Sequence, residues 1–184
     1  VSIWTSYKLN ILCIKFWLKF ICWIFSKGIE SLVLVKKPFC IINADGSMDP
    51  KYLNKMLKQC RKLDLVFASR YMMPGGGSED DTFITLLGNK IFSFLGNFLF
   101  NLKISDILFT YILANTSSVK SLKLKSGDFR LCVELPIKAK KSNLKYKCIP
   151  SFERSRIGGF KKVNAIKDGF LILTSIISLF FQKK

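Results

Sequence analysis

Apolar positions along this chain fall into two kinds of run, short unbroken ones and long periodic ones. "FCIIN" (residues 39–43) is short and continuous, the pattern of a strand covered on both faces. "LDLVFASRY" (63–71) reads as a second buried strand and "LKYKCIP" (144–150) as another. Between the first two, "DPKYLNKMLKQCRK" predicts a helix with Asp49 at the N-cap and Pro50 at the first helical position. "MMPGGGSEDD" is a loop, because three successive glycines break any regular element. "TFITLLGNKIFSFLGNFLF" (82–100) puts Ile84, Leu87, Ile91, Leu95 and Phe98 on one face of a long helix. After a less regular middle, "SFERSRIGGFKK" is a basic, glycine-containing loop. It leads into "AIKDGFLILTSIISLFF" (165–181), an apolar helix too short to span a bilayer comfortably and suited to docking at its interface. Strands alternating with helices argue for an α/β layer with a largely parallel sheet.

The first segment, "LNILCIKFWLKFICWIF" (9–25), is the most apolar. Its Leu, Ile and Phe residues favour insertion by about 3 to 6 kcal/mol, but two central lysines cost about 5 to 7 kcal/mol, so spanning is disfavoured. Lys8, Lys15 and Lys19 share one helical face, which suits a helix lying in the membrane interface. No small-residue cleavage site of a signal peptide follows. An AT-rich stretch translated out of frame yields the same residue types, and that reading stays open.

Composition narrows the chemistry. A formal charge of +18 on 184 residues implies an anionic partner, whether nucleic acid, a phosphorylated ligand or an acidic membrane surface. Nucleic acid is ranked out, because the aromatics sit in apolar runs instead of alternating with basic residues on one surface. Histidine is absent, which removes the imidazole base, the histidine-bound metal and the Ser-His-Asp triad. The six cysteines (Cys13, Cys22, Cys40, Cys60, Cys132, Cys148) form no C-x-x-C pair. They read as reduced, mostly buried thiols of a cytosolic compartment.

In open α/β sheets ligands gather at the carboxyl ends of the strands, so polar residues just past each strand carry the candidate chemistry. Asp45 follows "FCIIN", with Asn43 and Asp49 on either side. A carboxylate there suits a hard divalent cation bridging a diphosphate, since Mg²⁺ and Mn²⁺ prefer oxygen and take few ligands from protein. Asp45 equally suits a plain turn before Gly46, and Asp49 a helix cap. Arg70 ends the second strand at the same edge, where a guanidinium either binds phosphate in bidentate fashion or faces water. Lys90 lies off the apolar stripe, the usual place of a solvated lysine. Arg154 and Arg156 flank Ser155, a cation pair that suits a lid closing on phosphate. Glu134 is expected to pair with a neighbouring lysine.

Four stretches add a family likeness. "INADGSMDP", "VFASRYMMPGGG", "LLGNKIFSFLGNFLFNLKISD" and "VELPIKAKKSNLKYKCIPSFERSRIGGFKKVNAIKDGFLIL" follow the order and approximate spacing of the family 2 glycosyltransferases. They resemble most the dolichol-phosphate mannose synthase type, the polyprenyl-phosphate glycosyltransferases, over residues 28–173. The resemblance implies a partial A-type glycosyltransferase (nucleotide-diphospho-sugar transferase) fold over 28–162: α/β, a mostly parallel sheet flanked by helices. An unrelated hydrophobic leader at 1–27 would precede it, and an apolar membrane-interface helix at 163–184 would follow. The implied reaction moves a sugar from a nucleotide-diphosphate donor to a polyprenyl phosphate, with Mg²⁺ or Mn²⁺, on the cytoplasmic side of a membrane. By the same resemblance Asn43 and Asp45 stand where the family's acids bind metal and diphosphate, assisted by Ser47. Arg70 and Lys90 would hold the acceptor phosphate and Arg156 the donor phosphates, making Asp45, Arg70 and Arg156 the catalytic set. A lipid phosphate is already ionised at neutral pH and needs no general base, which agrees with the missing histidine.

The chain also departs from the family. The first metal-binding acid is Asn43; "ILFTYI" (107–112) replaces an arginine-bearing stretch, although Asp106 remains; and Pro136 interrupts an expected helix. The family's opening strands, which carry the nucleotide-base and ribose site, have no counterpart before Gly28, so this polypeptide alone is expected to have little transferase activity. The alternative from a different class is a non-catalytic basic protein of the anionic membrane surface.

Overall fold

The computed structural model describes residues 38–158 and 164–182, together with the backbone of Ile11–Ile14. A five-stranded sheet runs in the order β1 (Ile11–Ile14), β2 (Pro38–Asn43), β5 (Ile112–Asn115), β3 (Leu65–Ser69), β6 (Tyr146–Pro150). β1 pairs parallel with β2, and β3 with β6, whereas β5 runs antiparallel to both β2 and β3. The expected mostly parallel sheet is therefore corrected to a mixed one: four strands point one way and the central β5 points back. A two-stranded parallel ladder, β4 (Gly77–Ser78) with β7 (Phe152–Glu153), stands apart from it.

Both faces of the sheet are covered, as the continuous apolar runs require. On β3, Leu65 and Phe67 join one core cluster while Val66 and Ala68 join the other, the alternation expected of a pleated strand between two layers. Leu53, Met56 and Cys60 of helix α1 (Tyr52–Cys60) cover one face, against Cys40, Ile42 and Leu113. The other face carries α3 (Thr116–Ser121), α4 (Leu131–Lys141) and α5 (Ala165–Phe181). The inner side of α5, through Ile172, Ile176 and Leu179, belongs to this main core. The interface helix expected of the leader lies outside the described residues, except that Ile11–Ile14 adds an edge strand to the sheet. Cys40, Cys60, Cys132 and Cys148 are free and buried, as expected.

Asp49 accepts the Lys51 N–H at 2.9 Å, so it caps the turn that opens α1, although regular helix begins only at Tyr52. Pro136 does not interrupt α4. The helix runs through it because Leu131 to Ile137 are all buried, and that packing outweighs the hydrogen bond that Pro136 cannot donate. Glu134, 3% exposed, pairs with Lys138 at 2.7 Å as expected. It also accepts the backbone N–H groups of Lys125 at 2.8 Å and Ser126 at 2.7 Å, fixing the loop ahead of α4.

Helix α2 (Phe83–Phe100) opens with a capping box between Thr82 and Thr85. Its apolar stripe turns away from the protein: Ile84, Leu87, Ile91 and Phe98 are exposed, Phe98 to 75%, and Phe94 joins them. The buried side is Asn89, Ser93 and Gly96. These residues serve the irregular segment 101–111. Ser93 Oγ accepts the Ile107 N–H at 3.0 Å, and the Asn97 amide bonds both the N–H and the carbonyl of Ile104, at 2.9 and 2.7 Å. A Cβ on Gly96 would come within 2.7 Å of Ile107 Cδ1, so glycine permits the close approach. The inner face is small and polar because it must satisfy backbone that no strand or helix satisfies.

Two outcomes follow. Leu113→Ala on buried β5 is expected to cost about 2–5 kcal/mol, whereas Leu87→Ser on the outer face of α2 costs under about 0.5 kcal/mol, both read by urea unfolding. Glu134 concerns acid stability: burial pushes its pKa up, but Lys138 and the loop N–H donors hold it below the ordinary 4.5. Its contribution is complete above that pH and is lost as pH falls through the depressed folded value. Glu134→Gln should flatten that acid limb in unfolding midpoints taken from pH 6 to pH 3, and cost about 1–3 kcal/mol at pH 7.

Candidate functional site

At the carboxyl end of β2 the chain makes a tight turn in which Gly46 has φ +82°. That left-handed conformation favours glycine; a Cβ there would only push aside the exposed tip of Ile157. Asp45 Oδ1 accepts the Ser47 N–H at 3.0 Å and the Ser47 hydroxyl at 2.8 Å. The loop after β7 lies alongside: Arg154 N–H donates to the Ser47 carbonyl at 2.9 Å and Ile157 N–H to the Asp45 carbonyl at 2.8 Å. Met48 and Glu153 form an antiparallel bridge between the same two loops. Asp45 and Arg156 are thus neighbours, as the sequence reading requires.

Arg70 is placed at the predicted edge but differently engaged. It is 8% exposed, and Asp106 grips it in a fork, Nε to Oδ2 at 2.7 Å and Nη2 to Oδ1 at 3.0 Å. Its Nη1 donates to Glu153 at 3.0 Å and Asp81 at 3.2 Å, and its guanidinium stacks 4.6 Å from the Phe109 ring centre. Burial alone would lower its pKa; Asp106 foremost, then Glu153, drives it above the ordinary arginine value. Three carboxylates take four of its five N–H groups, so the expected role of Arg70 in holding an acceptor phosphate is left at most one Nη2 N–H.

Arg156 is half-buried and donates to Asp80 from Nε at 3.1 Å and from Nη2 at 2.5 Å. Those bonds raise its pKa against the effect of burial, with Asp80 and Asp45 adding to the rise. Its Nη1 has no partner among the described residues. Arg154 pairs with Asp49 at 2.7 Å, so the expected pair of free cations on a lid is instead two ion pairs on a loop tied to the turn after β2. Lys90 is exposed on α2 and does not line the cleft.

The cleft is a cavity of about 270 Å³ between the ends of β2 and β3 and the helices α2 and α5. Asn43, Arg70, Arg156 and Thr110 line it at the sheet's edge, and Ile84, Phe92, Phe129 and Ile172 form apolar walls. Asp80, Asp81, Asp128, Glu153 and Asp168 also line it, against two arginines and no lysine among the described residues. Sequence reasoning missed Asp81, Asp106 and Glu153; their signal was the rarity of acids, 12 against 30 basic residues.

The donor set for a metal is spare. Asp45 keeps one carboxylate oxygen without a partner among the described residues, and the Asn43 carbonyl oxygen accepts only a long 3.4 Å bond from Thr110. Ser47 is buried and turned onto Asp45, while Asp49 is held by Lys51 and Arg154. Among the described residues no three acidic or cysteine side chains converge into a metal cage. Of the three residues expected to hold a metal, Asn43 and Asp45 thus each keep an oxygen open, whereas the buried Ser47 hydroxyl is spent on Asp45.

Arg70→Ala is expected to cost about 3–5 kcal/mol or prevent folding, since it strands buried carboxylates. Arg70→Lys should not restore stability, because one ammonium cannot reproduce the fork. Arg156→Ala should cost only about 0–1 kcal/mol. Thermal or urea unfolding of the three variants reads the contrast.

No protein-family model matches the chain, and no curated protein matches it.

Proposed function

We propose that this chain serves a family 2, A-type glycosyltransferase reaction, passing a sugar from a nucleotide-diphosphate donor to a polyprenyl phosphate at the cytoplasmic surface of a membrane. One observation carries the reading: the cleft that holds Arg156 is walled by two helices whose outer faces are apolar. On α2 the exposed residues include Phe83, Ile84, Phe94 and Phe98, and on α5 Ile166, Phe170 (66% exposed), Ile177 and Phe181. α2 is 18 residues long and apolar enough by length and composition to cross a membrane, yet its inner face is bonded to segment 101–111. A helix held in that way lies along a bilayer surface with its outer side chains among the acyl chains. The excess lysines meet anionic headgroups there.

The chemistry asks little of the protein. The lipid phosphate arrives ionised, so the protein's task is to place two anions together and offset their charge. Arg156, beside Asp45 and with one guanidinium nitrogen unpartnered among the described residues, is the cation that would do so. Magnesium or manganese, when bound at Asn43 and Asp45, supplies further charge to the leaving diphosphate.

One observation favours the second reading, a non-catalytic membrane-surface protein: Arg70 gives four of its five N–H groups to carboxylates. Flotation with anionic vesicles separates the two. Phe94→Ser with Phe170→Ser should weaken vesicle binding about tenfold for each phenylalanine on either reading. Doping the vesicles with polyprenyl phosphate should tighten binding of the unaltered chain, and Asp45→Ala with Arg156→Ala should abolish that gain. A gain that is absent, or survives the double substitution, selects the non-catalytic reading.

A further inference from the structure

Away from the cleft, a second cavity carries charge that the fold does not neutralise. A groove of about 640 Å³ runs along β6, the edge strand of the sheet, beside the start of segment 101–111 and the turn after α4. Lys103, Lys140, Lys145 and Lys147 line it, and among the described residues no acid does. Asp64 accepts the Lys145 N–H at 2.8 Å but stands outside the lining. Among the described residues the lysines in ion pairs are Lys51 and Lys138, so these four have no counter-charge. Leu102, Leu144 and Tyr146 make the rest of the lining largely apolar. Lys103 holds left-handed backbone, φ 58°, which glycine or asparagine would adopt more readily, so the backbone does not call for a lysine there. Like charges gathered without a partner repel one another, and the arrangement points to an anion that comes between them.

The groove begins where the apolar outer surface of α2 and α5 ends. The two helices run side by side in one direction: Phe92 lies against Gly169, and Phe100 meets Phe180 with ring centres 5.9 Å apart. Their C-terminal ends are therefore together, with Phe98 and Phe181 exposed there. Lys103 comes shortly after the end of α2. Lys140 adjoins Lys141, whose ammonium lies 5.8 Å from the Phe100 ring centre and bonds the Gln182 carbonyl at 2.6 Å. We infer that the groove binds the phosphate headgroup of an anionic phospholipid, at the level where the outer faces of α2 and α5 leave the acyl chains. Ammonium groups on flexible stems close around a phosphate diester without a fixed fork, and the apolar lining takes the glycerol and its first methylenes. Diffuse attraction by other lysines draws the protein to the bilayer; this site sets which end of the two helices meets the headgroups. The inference rests on the membrane-surface part of the proposed function and on none of its transfer chemistry.

Short-chain lipids test it as monomers. Dihexanoyl phosphatidylglycerol, dihexanoyl phosphatidylcholine and inorganic phosphate are each titrated calorimetrically into the full chain, the lipids below their micellar concentrations. The expected result is saturable binding of the phosphatidylglycerol, tighter by about tenfold or more than that of either other probe. Lys103→Gln, Lys140→Gln, Lys145→Gln and Lys147→Gln together should weaken it by about tenfold or more. Lys→Arg at the same four positions should weaken it by less than about threefold, and Arg156→Ala in the cleft by less than about twofold. The thermal midpoint of the fourfold Lys→Gln variant should hold or rise, because mutually repelling charges are removed. Phosphatidylglycerol binding that is absent, matched by phosphatidylcholine or by phosphate, indifferent to the Lys→Gln changes, or lost equally in the Lys→Arg variant or in Arg156→Ala would overturn the inference, as would a fall in midpoint. The membrane-surface reading fails separately, if the unaltered chain does not float with phosphatidylglycerol vesicles while binding of the monomeric lipid stands.

Discussion

The Arg70 guanidinium is where four separated stretches of the chain meet. It leaves the end of β3 and binds Asp81 ahead of α2, Asp106 in the segment before β5, and Glu153 on β7. The acids are themselves held, Glu153 by the Ser78 hydroxyl at 2.7 Å and Asp81 by the Tyr71 hydroxyl at 2.5 Å. A charge this deeply buried is tolerated only when its donors are all met, so each stretch is fixed relative to the others. The floor of the cleft is built on that fixation. The arginine at the end of β3 thus holds the site together, and among the described residues Arg156 keeps one guanidinium nitrogen without a partner.

The same economy explains the inverted helix. Segment 101–111 crosses the back of the sheet without regular structure until β5 begins, and its N–H and carbonyl groups need partners. Ser93 and Asn97 provide them, and Gly96 lets the segment close in. Once the inner face of α2 is committed to that task, its phenylalanines, leucine and isoleucines have only the outside to occupy. α5 resolves the matter differently, with Ile172, Ile176 and Leu179 inward and Phe170, Ile177 and Phe181 outward, apolar on both sides. Two adjacent helices thus present one greasy surface for two different local reasons. A monomer in water rarely keeps a patch of that kind without a partner for it.

Much of this architecture was legible in the chain. The buried strands at 39–43, 65–69 and 146–150 announced themselves as unbroken apolar runs, and the helices at 83–100 and 165–181 as periodic or apolar ones. β5 did not, because its four residues are too few to mark a strand alone and their strand character depends on having β2 and β3 on either side. Periodicity also locates an apolar face without saying whether protein or lipid covers it, which is why α2 was read correctly as a helix and its direction was not. The Arg70 cluster was out of reach for another reason: its acids lie 11, 36 and 83 residues away along the chain. A strand-end rule predicts where a side chain points, and only folding decides what waits there.

The charge distribution follows from these placements. The chain carries +18 overall, yet the cavity wall is acidic, with Asp80, Asp81, Asp128, Glu153 and Asp168 facing Arg70 and Arg156. Among the described residues no lysine lines that wall, while lysines are abundant in the chain as a whole. Exposed basic groups outside the β6 groove act over about 10 Å at moderate salt, enough to draw the protein onto an anionic surface but too diffuse to choose a ligand. Inside the cleft, carboxylates act at contact distance, in a setting where water screens them less. On the proposed reading, long-range attraction and selection within the cleft thus fall to different residues of opposite charge.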